Sequence, residues 1–138
     1  MTLESIANEM SLIGPRIGRA IVMRMTQAHD FSNAQIFTIL ALYEEGKTRI
    51  TDLACLLRVS APTMTGIVSR LEQGGHLQRV HDTKDRRVVY ATLTPKGLAL
   101  AKRMRAVAQK RWMEILSHVP SEEARAFVNS MKKISIYV

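Results

Sequence analysis

Residues Ile50 to Gly97 read ITDLACLLRVSAPTMTGIVSRLEQGGHLQRVHDTKDRRVVYATLTPKG, and the order of elements in this stretch decides the fold. Ile50 or Thr51 opens a short helix with Leu53, Ala54 and Leu57 on one face, and Arg58-Val59-Ser60 leaves room only for a tight turn after it. Ser60 is a good N-cap for the next helix, because its hydroxyl accepts an otherwise orphaned N–H, and Pro62 stands in the first turn where a missing N–H costs nothing. Met64, Ile67, Val68 and Leu71 then recur at i, i+3, i+4 and i+7, which buries one face. Gly74-Gly75 ends that helix. Leu77 to Val80 alternates as a strand does, His81 to Arg87 forms a charged tip, and Val88 to Leu93 is a second strand. Thr94 and Pro95 repeat the pattern of an N-cap followed by a proline at the first helical position.

Two short helices across a tight turn, followed by a β-hairpin, have the layout of a winged helix-turn-helix. In that layout the second helix enters a DNA major groove and the hairpin, the wing, reaches the adjacent minor groove. The face of the second helix opposite its apolar stripe carries Ala61, Thr63, Thr65, Gly66, Ser69 and Arg70, and no acidic residue precedes Glu72. A face meant only for water normally carries more charge, whereas short hydroxylated side chains suit close approach to phosphates and base edges. From Lys47 to Lys96 nine basic residues face four acidic ones, a net +5 out of +8 for the whole chain. Such an excess favours an anionic polymer as partner.

Upstream, Leu3, Ile6, Met10, Ile13, Ile17 and Ala20 alternate spacings of three and four, which predicts a helix seam from Thr2 to about Ala28. Gly14-Pro15 predicts a kink or break within it. Ser32 or Asn33 caps a helix over Ala34 to Glu45, with Ile36, Leu40 and Tyr43 inward and Gly46 as its stop; Lys47 to Arg49 reads as a connector. Downstream, a helix from Pro95 to about His118 aligns Leu98, Ala101, Met104, Ala108, Trp112 and Ile115. Pro120-Ser121-Glu122-Glu123 starts another, striped by Ala124, Phe127, Val128, Met131 and Ile134. The tail Ile134, Ile136, Tyr137 and Val138 is poorly satisfied on a monomer surface and would bury well between subunits. The expected dimer contacts are Leu3, Ile6, Met10, Ile13, Trp112, Phe127, Met131, Ile134 and Tyr137, against the plainer reading of ordinary core packing.

The totals narrow the function classes. A chain of 138 residues holds one domain with a proper core and leaves little room for a separate catalytic domain. Hydrophobic and charged fractions of 46% and 23% are ordinary for a globular protein, which argues against wholesale disorder. A single cysteine, Cys55, allows no internal disulfide and fits a reducing compartment. The N-terminus MTLESIANEM shows no signal peptide and no apolar run approaches a membrane span, so a cytoplasmic protein without a membrane partner is expected. Neither a glycine-rich phosphate loop nor a nucleophile elbow nor a cysteine-histidine pair is present, and no enzymatic activity is expected. His29, His76, His81 and His118 lack a compact metal-ligand spacing, and no metal or cofactor is expected. Met23, Met25 and Met64 read as core fillers.

The run Leu53-Ala54, Val59-Ser60, Thr63-Met64-Thr65, Arg70-Leu71-Glu72, Gly75, Arg79, Asp85-Arg86-Arg87, Leu93-Thr94 and Gly97 resembles the signature of the MarR family of bacterial transcription factors. The resemblance covers about the middle third residue by residue; outside it, helix number and order agree. It implies a mainly α fold with a small β-wing, in which residues 31–97 form the winged helix-turn-helix and residues 1–30 and 98–138 form an interlocking helical dimerisation region. It further implies a homodimeric repressor that binds a pseudo-palindromic operator in double-stranded DNA and releases it on binding a small aromatic or anionic effector. Carried over by position, Thr63, Thr65 and Arg70 would make recognition-helix contacts, Arg87 would enter the minor groove, and Asp85 would hold that arginine. The full expected DNA-binding set is Ser60, Ala61, Thr63, Thr65, Ser69, Arg70, Lys84, Asp85, Arg86 and Arg87.

Two departures stand out. Many relatives carry an arginine or another long polar residue at the position of Gly66, so a different sequence preference is expected here. Cys55 occupies a position that is usually polar, and the N-terminal reactive cysteine of the peroxide-sensing branch has no counterpart. The effector residues are not identified by sequence; Arg16 and Arg19 beside the expected kink are candidates for an anion. The alternative functions are a thiol-responsive regulator acting through Cys55 and an architectural or interaction winged-helix protein without a specific operator.

Overall fold

The computed structural model describes residues 1–138. Helix α1 spans Leu3–Ala28, α2 Asn33–Glu45, α3 Ile50–Leu57, α4 Ala61–Gln73, α5 Pro95–Leu116 and α6 Ser121–Ile134; the strands are β1 Thr48–Arg49, β2 Leu77–His81 and β3 Val89–Leu93, and a 3-10 turn covers Ser135–Tyr137. No helix is long and apolar enough to cross a membrane. Helix starts are set locally, as the sequence indicates. Ser32 and Gln35 form a reciprocal capping box on α2, Ser60 accepts from the N–H of Thr63 on α4, and Thr94 accepts from the N–H of Gly97 on α5.

One apolar core unites the parts. It joins Ile21 and Met25 of α1, Ile36, Ile39 and Leu42 of α2, Leu53 of α3, and Met64, Val68 and Leu71 of α4. Leu77, Ala91, Leu100 and Met104 close it from the sheet and α5. The sheet has the order β1-β3-β2 and is antiparallel throughout, with Leu77 opposite Leu93, His81 opposite Val89, and Thr48 opposite Ala91. The strands Leu77–His81 and Val89–Leu93 leave the segment between them as the wing tip.

Several expectations are corrected. Of the kink or break expected at Gly14-Pro15, the break is overturned: helix α1 continues through both residues. Proline there removes one backbone hydrogen bond, but Ser11 and its neighbours are exposed, so water can take the freed carbonyl and the flanking turns carry the helix across. The Lys47–Arg49 connector contains a third strand, because Thr48 and Arg49 pair with β3 and two residues show no alternation. In α5, Ala101 and Met104 are buried as expected, but Leu98 is 41% exposed while Leu100 is 2% exposed, since Gly97 is seated against the His76 backbone and turns Leu100 rather than Leu98 inward. Ile39 rather than the half-buried Leu40 and Tyr43 fills the core in α2, and Met23 is exposed, so that Met25, Met64 and Met104 are the core methionines.

Candidate nucleic-acid interface

The turn between α3 and α4 is built by Arg58, which adopts the left-handed conformation at φ 53° and ψ 45°. Its N–H donates to the Cys55 carbonyl and that of Val59 to the Ala54 carbonyl at 3.0 Å, which satisfies the end of α3 while the chain reverses. A non-glycine residue there costs about 1 kcal/mol, and the two helices packed on either side hold it. Ser60 follows at once; its hydroxyl accepts from the Thr63 N–H at 3.2 Å and donates to the Thr63 hydroxyl at 2.8 Å. The Thr63 proton is thereby left free to point outward.

Met64, Ile67, Val68 and Leu71 seat α4 in the core, and Ala61, Pro62, Thr63, Thr65, Gly66 and Arg70 are exposed. Ser69 departs from this group. It is half-buried, and its hydroxyl accepts from the Arg79 Nη2 at 2.7 Å. Arg79 is in fact the hub that ties α4 to β2. Its backbone N–H donates to the Glu72 carboxylate at 2.9 Å, its Nη1 donates to the same carboxylate, and its Nη2 reaches the Thr65 carbonyl at 3.5 Å. Neither Glu72 nor Arg79 is among the site residues expected from the sequence. The signal was there: Glu72 is the lone acid of the helix, and Arg79 follows it across a double-glycine turn.

The far end of that turn is equally constrained. Thr94 donates its hydroxyl to the Gly75 carbonyl at 2.5 Å, Lys96 donates to the Gly74 carbonyl at 2.7 Å, and the Thr94 N–H donates to the His76 carbonyl at 3.1 Å. Gly97 has no alternative, because a Cβ would stand 1.8 Å from the His76 carbonyl oxygen. Gly75, at φ +78°, supplies the left-handed step that turns the chain from α4 into the wing.

At the wing tip, Asp85 folds the loop around itself. It accepts from the Arg87 N–H at 3.0 Å and from the Arg87 guanidinium at 3.2 and 3.4 Å, while its own carbonyl accepts from the Val88 N–H at 3.0 Å. The Arg87 side-chain hydrogen bond, and then the backbone one, hold the Asp85 carboxyl below the usual carboxylate range. The Arg87 side chain nevertheless remains 91% exposed, so its orientation is restrained and its guanidinium stays accessible. Lys84 and Arg86 are exposed beside it. Between the wing and the α3–α4 pair runs a cleft of about 470 Å³ lined by Arg49, Thr51, Thr65, Arg79, His81 and Arg87. The Arg49 guanidinium lies 5.9 Å from the centre of the Tyr90 ring, and the Lys47 ammonium sits 4.9 Å from the centre of the same ring. The surface thus presents hydroxyls on a helix and cations on both sides of it.

The remaining sequence candidates lie elsewhere. Cys55 is exposed on α3. No group of three or more His, Cys, Asp or Glu side chains converges into a metal-binding cluster. Arg16 and Arg19 are both exposed on α1. Leu3, Ile6, Met10 and Ile13 are exposed along α1, and α6 buries none of its residues, with Phe127, Met131 and Ile134 facing outward and Tyr137 84% exposed beyond it. Trp112 is half-buried and meets Phe127 at 6.1 Å.

Comparison with known proteins agrees with this geometry. Residues 31–89, the segment from the start of α2 into β3, match the family model described as the MarR family. The chain is 22% identical over 132 residues to the HTH-type transcriptional regulator SarZ of Staphylococcus haemolyticus, covering 94% of this chain and 88% of that protein. A MarR family protein from Bacillus stearothermophilus superposes with a TM-score of 0.84 at 21% identity, covering 99% of this chain and 97% of that one, and so shares its fold. The structure of BpsR from Bordetella bronchiseptica, whose DNA binding is regulated by 6-hydroxynicotinic acid, superposes with a TM-score of 0.70 at 26% identity over 92% of this chain and 98% of that one. The match to the MarR family model takes in the whole of α3, α4 and the arginine-bearing wing tip, the parts that build this surface.

Proposed function

We propose that the chain acts as a homodimeric, effector-responsive repressor of a pseudo-palindromic operator, with α4 in the major groove and the wing tip in the flanking minor groove. The observation that carries this reading is the pairing of a short-side-chain hydroxyl face on α4 with an exposed Arg87 restrained by Asp85. Ser60, Ala61, Thr63, Thr65, Arg70, Lys84, Arg86 and Arg87 form the contact set, Asp85 positions Arg87, and Ser69 acts through Arg79. The test is fluorescence anisotropy with DNA from upstream of the gene at several salt concentrations, since specific binding survives salt that strips phosphate-only binding. Arg87→Ala is expected to weaken binding at least tenfold and Asp85→Ala less; unchanged affinity of Arg87→Ala would remove the wing from the interface.

Residues 1–30 and 98–138 serve as the dimerisation region in this reading. The exposed stripes of α1 and α6 support it, as does an apolar cleft of about 410 Å³ lined by Trp112, Leu116, Phe127, Val128 and Met131. A surface of this kind is unfavourable against water and is satisfied by a second copy. Sedimentation at micromolar concentration is expected to show a dimer, and a monomer overturns this part.

For the effector, a cleft of about 340 Å³ between α1 and α5 gathers Arg24, Lys110 and Arg111 around Val107 and Ala28; Glu114 also lines it, pairing with Arg111 at 2.8 Å and Arg24 at 3.6 Å, and the Arg111 Nε is buried without an acceptor. That cation set suits a small aromatic acid better than the exposed Arg16 and Arg19. BpsR, regulated by a hydroxylated aromatic acid, supports the ligand class. A thermal-shift screen of small aromatic acids against the protein and its Arg111→Ala variant tests it.

A further inference from the structure

Gly66 lies in the interior of α4, and nothing inside the chain accounts for a glycine there. Its backbone is not left-handed; the glycines with positive φ are Gly46 and Gly75. A Cβ added at Gly66 meets no atom within 4 Å, in contrast to Gly97, where it would collide with the backbone. Glycine in a helix interior lowers helix stability more than any residue except proline. Gly14 and Gly18 also have open Cβ positions, but they belong to α1 and the exposed stripe that runs along it. Gly66 instead shares the exposed surface of α4 with Pro62, Thr63, Thr65 and Arg70.

We propose that Gly66 is a specificity-determining position, a notch in the recognition helix that receives the 5-methyl group of a thymine in the major groove. The inference rests on the DNA-reading role proposed above. The chemistry of the notch selects the occupant: Pro62 stands one turn before it, the Cα of Gly66 forms its floor, and neither offers a side-chain hydrogen bond. The thymine methyl is the apolar group that base edges present in the major groove. Arg70, one turn further on, is free to contact a neighbouring base, because it has no partner within the chain while Arg79 is fully engaged. A Cβ at position 66 would take the space of the methyl group.

The experiment selects duplexes from a randomised pool with the full-length protein. Binding of the wild type and of Gly66→Ala is then measured on the enriched duplex and on copies in which each thymine of a half-site is replaced in turn by deoxyuridine. The wild type is expected to lose about fourfold at one thymine per half-site, the worth of one buried methyl-sized group. Gly66→Ala is expected to bind the enriched duplex about tenfold more weakly, to be indifferent to uracil at that position, and to keep the wild-type salt dependence, because no phosphate contact is touched. Its melting temperature should rise by about 4 °C, which separates the binding loss from misfolding. Gly66→Ser should reproduce the loss. Tolerance of uracil at every position by the wild type, or an unchanged thymine dependence in Gly66→Ala, overturns the assignment. A wild type that enriches no sequence overturns the DNA-reading role as well.

Discussion

Replacing Glu72 by alanine tests how the recognition helix is held against the wing. The substitution deletes two acceptors at once, one for the Arg79 N–H at 2.9 Å and one for the Arg79 guanidinium. The two side chains are 37% and 27% exposed, so the pair lies between a solvated surface bridge and a buried one. Each charge-assisted bond is then worth about 1 kcal/mol, and Glu72→Ala should lower stability by about 2 kcal/mol. Glu72→Gln keeps an oxygen for the Arg79 N–H and should lose about half as much. Arg79→Ala keeps the backbone bond but removes the guanidinium's bonds to Glu72 and Ser69 and should also cost about 2 kcal/mol, while the double variant should fall short of additivity by about 1 kcal/mol because one interaction is counted twice. Urea unfolding followed by circular dichroism, at one fixed protein concentration, supplies all four values. A loss below about 0.5 kcal/mol for Glu72→Ala, or strict additivity in the cycle, would refute the clamp as a stabilising element. Both single variants should further weaken DNA binding although neither residue is expected to touch DNA.

Gly97→Ala should lower stability by about 3 kcal/mol or more, because a Cβ 1.8 Å from the His76 carbonyl can be accommodated only by moving backbone; wild-type urea midpoints would show that the close approach is not needed. Stability should also depend on pH through His29 and His76. Burial and then Arg103 lower the pKa of His29, and burial, Lys96 and Arg103 lower that of His76 below the ordinary value of 6.5. As pH falls, the unfolded chain takes up protons before the folded one. The contribution is therefore fully present above about pH 6.5 and is lost as pH drops through the lowered folded-state values. A urea midpoint that stays flat from about pH 7 to pH 5 would contradict this, and His76→Asn should reduce the slope.

The helices of the reading head are legible in the sequence because their signals are local. Ser60 with Pro62 and Thr94 with Pro95 specify helix starts through hydrogen bonds three residues long, and the i, i+3, i+4, i+7 stripe of α4 names the four residues that the core buries. Asp85 and Arg87 are two positions apart, and the pair is visible for the same reason. Where partners lie far apart, the sequence alone falls short. Strand β1 exists because Thr48 and Arg49 meet Ala91 and Tyr90, more than forty positions later, and two residues carry no periodicity of their own. Leu98 and Leu100 look equally apolar, and only the seating of Gly97 against His76 decides which one turns inward. The chemistry of Pro15 predicts a kink or a break, and the long helix around it and exposure to water exclude the break.

By itself, then, the sequence determined the element order, the caps, the charge of the reading head and the family it resembles, all of which depend on short spacings and residue chemistry. Tertiary structure alone decided that Ser69 turns toward Arg79, that Glu72 and Arg79 lock the recognition helix to the wing, and that Gly66 faces open space. Those facts require the chain to reverse at Gly74-Gly75 and bring residues seven to fourteen positions apart into hydrogen-bonding distance, and no local pattern records which partners such a reversal will join.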